Sequence, residues 1–247
     1  MRCGRILFIA GFFIAWEAIV SADLVSKLFF ASPVEILHSI FRLFAQENFS
    51  PDLGATSWRV VLAFLISAGI GTPLGISIGY FRRAGCSIEV ALDFLRSIPP
   101  IALFPLFIFF FGIGDASKIA VAAFSGTMII TIASFYGAKQ INRTRLTLAR
   151  KIGMNGRKLF LKVLLPESLP TTFGGYRLAA SICLILVITT EMFLGTKLGM
   201  GTRLVDAHML YDTGGLYALI IIAGILGYSI NMVFSRLERK IVHWEGR

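Results

Sequence analysis

Residues 146–166, LTLARKIGMNGRKLFLKVLLP, form a polar stretch between long apolar tracts, and the rest of the sequence is organised around them. Leu146, Ala149 and Ile152 recur at three-residue spacing, which predicts a short helix with one apolar face. Gly153 follows at once, and glycine is the residue type most able to adopt the left-handed conformation that ends a helix. We therefore predict that a first short helix ends at this glycine.

A second helical turn is predicted directly after that glycine. Asn155 is suited to cap its amino end, and the turn then runs through Leu164. It should stop near Pro166, because a proline disfavours helical geometry at the residue before it, here Leu165. The stretch is thus predicted to form two short helices held between a glycine and a proline.

The stretch and its flanks are strongly basic. Seven lysines and arginines lie from Arg143 to Lys162, with no acidic residue among them. Attraction to anionic membrane lipid is one interpretation. It leaves unexplained why Gly153 and Pro166 enclose an apolar face between basic residues, a pattern typical of an element that docks into a protein groove.

The composition places the chain in a membrane. Of its 247 residues, 56% are hydrophobic and 15% are charged, and the apolar tracts are longer than a buried globular helix needs. We predict an all-α integral membrane protein of one domain, residues 1–247, with about six transmembrane helices. The predicted spans are 6–22, 56–80, 98–114, 116–138, 171–193 and 216–234, and the loop 139–167 follows the fourth.

The amino-terminal apolar run follows two arginines and begins the first predicted span. A cleaved signal peptide is the alternative, because residues 20–22 are small enough for cleavage. Trp16 and Glu17 favour a retained span, since a signal peptide would be uniformly apolar there. After it, residues 32–44 place apolar groups on one helical face, which predicts an amphipathic helix on the membrane surface or against the other helices.

Glycines and prolines mark two of the spans. In the second span, Gly71, Gly75 and Gly79 recur every four residues, so one face lacks side chains and allows a neighbouring helix to approach closely. At the third span, Pro99 and Pro100 remove two backbone donors, so the helix should break and restart there.

A broken helix at membrane depth is tolerated where it lines a cavity or is buried in protein. This makes Pro99, Pro100 and Pro105 candidates for residues of a pathway through the membrane. The alternative is a simple kink at the entry to a span.

Charge placement predicts the topology. With the amino terminus inside and the six spans above, sixteen of the 24 lysines and arginines lie on inner segments, namely Arg2, Arg5, Arg82, Arg83, Lys139, Arg143, Arg145, Arg150, Lys151, Arg157, Lys158, Lys162, Arg236, Arg239, Lys240 and Arg247. Six lie on outer segments, namely Lys27, Arg42, Arg59, Lys118, Lys197 and Arg203. Because basic residues are retained on the cytoplasmic side, the loop 139–167 and both termini are predicted to be cytoplasmic.

Several function classes find no support in the sequence. The net charge of +10 would suit nucleic acid, but the basic residues mostly flank apolar tracts, so we predict no nucleic-acid partner. The three histidines are scattered, which predicts neither a metal site nor a catalytic base. No phosphate-binding G-x-x-x-x-G-K-[ST] loop occurs, so we expect no ATP hydrolysis by this chain. No Ser/His/Asp arrangement or cluster of metal-ligand residues occurs either, so we expect no catalytic residues and no cofactor.

The order of motifs resembles the permeases of ATP-binding cassette (ABC) importers, in their nitrate, sulfonate and taurine branch. The residues that carry the resemblance over nearly the whole chain are Trp16-Glu17, Ser32-Pro33, Arg59, Pro99, Leu103, Pro105-Leu106, Phe111-Gly112-Ile113-Gly114, Gly137, Ala149-Arg150, Gly153, Val163, Leu165-Pro166, Gly175, Arg177, Glu191-Met192 and Gly199-Met200-Gly201.

The resemblance implies the architecture of a type I ABC importer permease, in which the loop 139–167 is a coupling helix that fits a groove on the ATP-hydrolysing subunit. The matching residues of that loop are Ala149, Arg150, Gly153, Val163, Leu165 and Pro166. The sequence departs from the family pattern at Thr147 and Leu148, where the pattern has glutamate and alanine. This departure bears on a polar contact within the loop or to the ATPase.

The resemblance also implies the partners and the location. They are an ABC ATPase, a periplasmic or lipid-anchored solute-binding protein, a second permease copy in a homodimer and membrane lipid, in a bacterial inner membrane. The implied solute is a small oxyanion such as a sulfonate, nitrate or taurine, and other small organic solutes stay open. The alternative function is a gradient-driven transporter or channel, which would need ionisable residues in mid-span, and the spans carry few.

Glu191 is an acid near the outer end of the fifth span, where it is costly unless it faces water, a partner or the interior of the bundle. A structural partner such as an outer-side arginine is the favoured role, and contact with the transported solute along the pathway is the alternative. The glycine-rich segment 195–215 that follows is a candidate surface for the binding protein.

Overall fold

Helices make up the regular structure of the chain. The computed structural model describes residues 2–22, 24–26, 28–81, 85–195 and 197–242, and these ranges contain no β-strand, so the all-α prediction is confirmed. The helices are α1 (Arg2–Ser21), α2 (Pro33–Ala45), α3 (Ser50–Tyr80), α4 (Gly85–Ser97), α5 (Phe104–Phe111), α6 (Asp115–Lys139), α7 (Arg143–Lys151), α8 (Gly156–Leu159), α9 (Leu165–Leu194), α10 (Met200–Met209) and α11 (Thr213–Ile241).

Four helical runs within the described ranges are long and apolar enough to cross a membrane. They are α3, α6, the run Gly156–Leu194 that contains α9, and α11, and they carry the predicted second, fourth, fifth and sixth spans. The predicted first span lies on α1, whose apolar part Gly11–Ser21 is shorter. The arginines of the turn predicted at 82–83 lie outside the described residues.

The third predicted span is broken, as its prolines predict. α4 ends at Ser97, a 3₁₀ turn occupies Pro100–Leu103, and α5 begins at Phe104. The two helical parts, Val90–Ser97 and Pro100–Phe111, are bent by 79° and would add a fifth candidate span if they cross together. No sequence pattern predicts α4, because its mixed polar and apolar residues lack the continuous hydropathy of a span.

The chain separates into two compact units by its internal contacts. The first unit contains Met1–Thr56 and Glu191–Leu226, and the second contains Ser57–Thr190 and Gly227–Arg247. Each unit is built around its own buried residues.

In the second unit, the glycine face of α3 packs directly on α6. A Cβ atom added at Gly71 would lie 2.9 Å from the Thr127 carbonyl oxygen, and one added at Gly79 would lie 2.7 Å from the Ala138 Cβ atom. Real Cβ atoms do not approach other atoms this closely, so only glycine fits at these positions. The predicted close packing along this face is confirmed, and it fixes the register between the two helices.

Two arginines of the second unit are paired with carboxylates. Arg59 on α3 is almost fully buried and donates from Nε and Nη2 to Asp115 Oδ1, both at 2.9 Å. Arg177 on α9 pairs with Glu238 on α11. Pairing lowers the cost of placing the Arg59 guanidinium in an apolar environment, so this pair also ties α3 to the start of α6.

In the first unit, α2 begins where the sequence predicts. Ser32 caps it by accepting a hydrogen bond from the Glu35 N–H at 3.2 Å. The predicted apolar face is divided, however, because Ile36 is buried whereas Val34 and Leu37 are exposed. α2 therefore packs on its unit with one side and presents a second apolar side outward, which agrees with an amphipathic helix.

Candidate functional site

The first helix of the loop 139–167 has a defined beginning and end. Asn142 precedes α7 and accepts a hydrogen bond through Oδ1 from a backbone N–H of the first turn at 2.9 Å. Gly153 has a φ of +82°, as the sequence predicts. Its N–H donates to the Arg150 carbonyl, and the Met154 N–H donates to the Ala149 carbonyl, both at 3.0 Å. This pair of bonds is a Schellman motif, which stops α7 at one place.

One side of the loop packs against the ends of membrane helices. Ala149, Leu159 and Leu164 are buried in a cluster with Ile76 of α3 and Ala138 of α6. The partly buried residues around this cluster are Tyr80, Ile141, Leu146, Met154, Phe160, Val163 and Leu165. Three of the predicted coupling residues, Ala149, Val163 and Leu165, therefore pack against their own chain and anchor the loop to the ends of α3 and α6.

The other side of α7 exposes two large apolar side chains, Leu148 at 57% and Ile152 at 71% exposure. The predicted apolar face of Leu146, Ala149 and Ile152 is divided, because Ala149 is buried whereas Ile152 is exposed. α7 ends at Lys151, and the backbone at residue 152 leaves helical geometry with φ −87° and ψ 15°, so helical spacing no longer sets its direction. The exposed apolar pair is flanked by basic residues, and no sequence signal separated it from the buried face.

The second helical segment of the loop does not stop at Pro166, which corrects the sequence prediction. Asn155 precedes α8, which continues through a π-helical segment, Phe160–Leu164, into α9. The Leu165 N–H donates to the Phe160 carbonyl across a widened π turn. This turn shifts the hydrogen-bond register directly before the proline, so the helix passes it without a break.

Two arginines of α7 are tied to neighbouring elements. Arg150 Nη2 donates to the Tyr80 hydroxyl oxygen at 2.5 Å, and the Arg150 guanidinium carbon lies 5.5 Å from the centroid of the same ring. Arg145 forms an ion pair with Glu167, which follows Pro166 in the first turn of α9. These contacts hold α7 against the end of α3 and the start of α9.

The three pathway prolines lie around the bend between α4 and α5. Pro99 precedes the 3₁₀ turn, Pro100 is its first residue, and Pro105 lies in the first turn of α5. A proline is tolerated there because the first turn of a helix has no intrahelical partner for its N–H groups. Pro99 and Pro105 are exposed, and their place beside a pathway stays a prediction.

Glu191 belongs to a buried hydrogen-bond network in the first unit. Its side chain is fully buried and accepts hydrogen bonds from the Thr56 hydroxyl, at 2.9 and 3.0 Å, and from the Gly201 N–H at 3.0 Å. Thr56 Oγ1 in turn accepts from the Met200 N–H at 2.9 Å. These contacts fit the structural role favoured for Glu191, and contact with solute stays a prediction.

A second carboxylate completes this network. Asp52 Oδ1 accepts from the Gly199 N–H at 2.8 Å, and Asp52 Oδ2 accepts from Arg203 Nε at 2.9 Å. Three consecutive N–H groups, those of residues 199–201, are thus held by side chains of α3 and α9. Gly199 has no side chain to cap α10, so these remote groups satisfy the donors that a helix start leaves open.

No sequence pattern predicts this network, because α10 lies in a glycine-rich segment and Asp52 is about 150 residues away from Gly199 and Arg203. The only local signal was Glu191 itself. Among the described residues, no group of three or more His, Cys, Asp and Glu side chains is placed to hold a metal ion.

Helices long and apolar enough to cross a membrane, joined by a basic loop with exposed apolar side chains, are typical of a membrane transport subunit. The chain belongs to the family of binding-protein-dependent transport system inner membrane components, which matches residues 71–243. The match includes α6, α9, α10 and the whole loop 139–167, so the resemblance stated from the sequence is confirmed.

Two curated proteins illustrate the relationship. The chain is 29% identical over 229 residues to the putative aliphatic sulfonates transport permease protein SsuC of Bacillus subtilis (strain 168), covering 93% of this chain and 83% of that protein. It is 24% identical over 236 residues to the taurine transport system permease protein TauC of Escherichia coli (strain K12), covering 94% and 86%.

A solved structure supports the architecture. The chain is similar to a chain of the MetNI methionine ABC transporter in an inward-facing conformation, with a TM-score of 0.68 and 19% identity, covering 77% of this chain and 94% of that one. This likeness shows that the chain has the fold of a type I ABC importer permease, as predicted.

Proposed function

We propose that this chain forms, with a second copy of itself, the translocation pathway of an ATP-driven importer, and that a separate ATPase drives it through the loop 139–167. The construction of the loop carries this proposal. One side is packed onto α3 and α6, while the other side presents Leu148 and Ile152 among basic residues. A docking element needs both a rigid attachment and an exposed contact surface.

The same construction supports a route for mechanical coupling. The Schellman motif fixes the end of α7, and Ala149 packs with Ile76 of α3 and Ala138 of α6. A force applied to α7 by closing ATPases would therefore move the ends of these spans rather than bend the loop. Packed interfaces have discrete arrangements, so this movement would switch the pathway between inward-open and outward-open states.

The charge distribution supports the orientation of the loop and of both termini toward the cytoplasm, where the ATPase would bind. By the topology predicted from the charges, the segment 195–215 would lie outside and would receive the solute-binding protein. The buried network at residues 199–201 would hold α10 in a defined position for that contact. The exposed apolar side of α2 would lie in the membrane interface.

For the solute, we propose a small organic sulfonate or a related oxyanion. The names of two relatives, which refer to aliphatic sulfonates and taurine, support this class. They support the class of solute alone, because one fold can host many specificities.

Reconstitution tests the proposed function. The chain is purified with the P-loop ATPase that accompanies it, placed in liposomes, and supplied with its binding protein and labelled taurine, an alkanesulfonate or nitrate. We expect uptake only with ATP on the ATPase side, and loss of uptake when the P-loop lysine of the ATPase is replaced.

Uptake by the chain alone, driven by an ion gradient without ATP, would refute the proposal and indicate a secondary transporter or channel. ATP-dependent uptake of a solute unrelated to these anions would refute the proposed solute class and leave the coupling mechanism in place.

A further inference from the structure

A small cavity lies beside α7, between the ends of α3 and α6. Its volume is about 210 Å³. The residues that give it its character are Tyr80, Arg143, Thr147 and Arg150 on the polar side and Leu146 and Leu164 on the apolar side. The cavity is smaller than the 300–1,000 Å³ typical of sites for whole small molecules, so it has room for a single functional group.

The polar side of this cavity is positively charged. Two arginines line it, and none of its described lining residues is acidic. The next acid along the chain, Glu167, is engaged by Arg145. The Thr147 hydroxyl is uncharged, and it donates a hydrogen bond to the Arg143 carbonyl at 2.9 Å.

Tyr80 orients Arg150 on the polar side of the cavity. Arg150 donates one hydrogen bond to the Tyr80 hydroxyl and lies over the same ring. A guanidinium has five N–H donors in a fixed planar fork, so one bond and one ring contact set the direction of the others. The arrangement suits a planar anionic group, because arginine pairs with carboxylates through two parallel hydrogen bonds.

We propose that this cavity receives the carboxylate of an acidic side chain on the ATPase subunit. The inference rests on the proposed function and adds to it the chemistry of one contact. The family pattern places a glutamate at position 147, which would put an acid of the chain itself on this wall. Because Thr147 is neutral, Arg143 and Arg150 can instead pair with an acidic side chain of the partner.

A protein carboxylate fits the observations better than an anionic lipid. A lipid surface attracts lysine and arginine without needing a formed cavity or an oriented side chain. The same helix also exposes Leu148 and Ile152, so its partner surface must combine apolar contacts with acidic groups. A groove on a folded protein provides that combination.

Binding measurements on the intact permease test the inference. The affinity of the co-purifying ATPase is measured for the wild type and for Arg143→Gln, Arg150→Gln and Thr147→Glu, in nanodiscs of uncharged lipid. The matched control is Arg157→Gln, which removes one charge from the same loop outside the cavity. We expect the three cavity variants to bind at least about tenfold more weakly than the control, because each removes a partner of the carboxylate or adds a competing acid.

Chemical cross-linking provides a second measurement that does not depend on weakened binding. Arg150→Lys retains the positive charge and introduces an amine, which a carbodiimide couples to a carboxylate in direct contact. We expect a cross-linked peptide that joins position 150 to one aspartate or glutamate of the ATPase. The control Arg157→Lys should not give this peptide.

Three results would overturn the inference. If the wild type binds the ATPase and the cavity variants match the Arg157→Gln control, the site is refuted while the coupling function stands. If the cavity variants lose only their affinity for phosphatidylglycerol vesicles, the cavity binds lipid headgroups instead. If the wild type binds no ATPase at all, the proposed function fails and this inference fails with it.

Discussion

Replacing Gly153 by valine should open the end of α7 without unfolding the protein. An L-residue in the left-handed region costs about 1–2 kcal/mol, whereas the two hydrogen bonds of the Schellman motif break on opening in both proteins and cancel from the difference. Because a Cβ atom at Gly153 meets nothing within 4 Å, the cost is conformational and stays local. We expect a destabilisation of the helix end by about 1–2 kcal/mol, which is a roughly fivefold to thirtyfold shift in its opening equilibrium.

Two measurements check this expectation on one preparation. Hydrogen exchange of the amides at residues 153 and 154 should accelerate by that factor, and ATP-dependent uptake should fall while the chain stays folded in the membrane. Gly153→Asn is the control, because asparagine tolerates the left-handed region, and it should retain most of both properties. Slow exchange and normal uptake in Gly153→Val would refute the argument that a fixed end of α7 transmits force.

Three further predictions concern the helices and the two units. Gly75→Val should lower the thermal midpoint by about 5–10 °C, because a Cβ atom there would lie 2.7 Å from the Ser134 Cβ atom. The control Gly69→Val, where a Cβ atom meets open space, should change the midpoint by less than about 2 °C, and equal shifts would contradict the packing argument. Asp52→Asn should lower the thermal midpoint by about 6 °C and speed amide exchange at residues 199–201, because it removes the buried charge that pairs with Arg203. Unchanged exchange would contradict the role of the network. Glu238→Gln should change the midpoint by less than about 2 °C, because its ion pair is partly exposed to solvent, and a larger fall would show that the pair is a major tie between helices.

Each unit contains a helix end that is held in place by hydrogen bonds, namely the start of α10 in the first unit and the end of α7 in the second. In each case a helix end is held by defined backbone hydrogen bonds, those of Gly153 and Met154 in the loop and those of residues 199–201 in the first unit. A subunit that switches between two states needs such ends to move as rigid bodies, because a frayed helix end would absorb the displacement. Both ends are therefore informative places for substitutions that separate folding from transport.

The sequence alone predicts those features that depend on short-range geometry and on partition into lipid. Apolar length places the spans on α3, α6, α9 and α11, and the missing backbone donors of Pro99 and Pro100 predict the break before α5. The left-handed end at Gly153 follows from the absence of a Cβ atom. Each of these outcomes depends on a few neighbouring residues, so one sequence suffices to predict it.

Only the tertiary structure decides which side chains meet. The exposure of Ile152 depends on where α7 ends, and the passage of the helix through Pro166 depends on a π turn that packing stabilises. The contact of Arg150 with Tyr80 joins residues 70 positions apart, and the contact of Asp52 with Gly199 joins residues 147 apart. Such contacts form because packed helices bring distant residues together, and the free energy that selects them belongs to the whole bundle rather than to any local pattern.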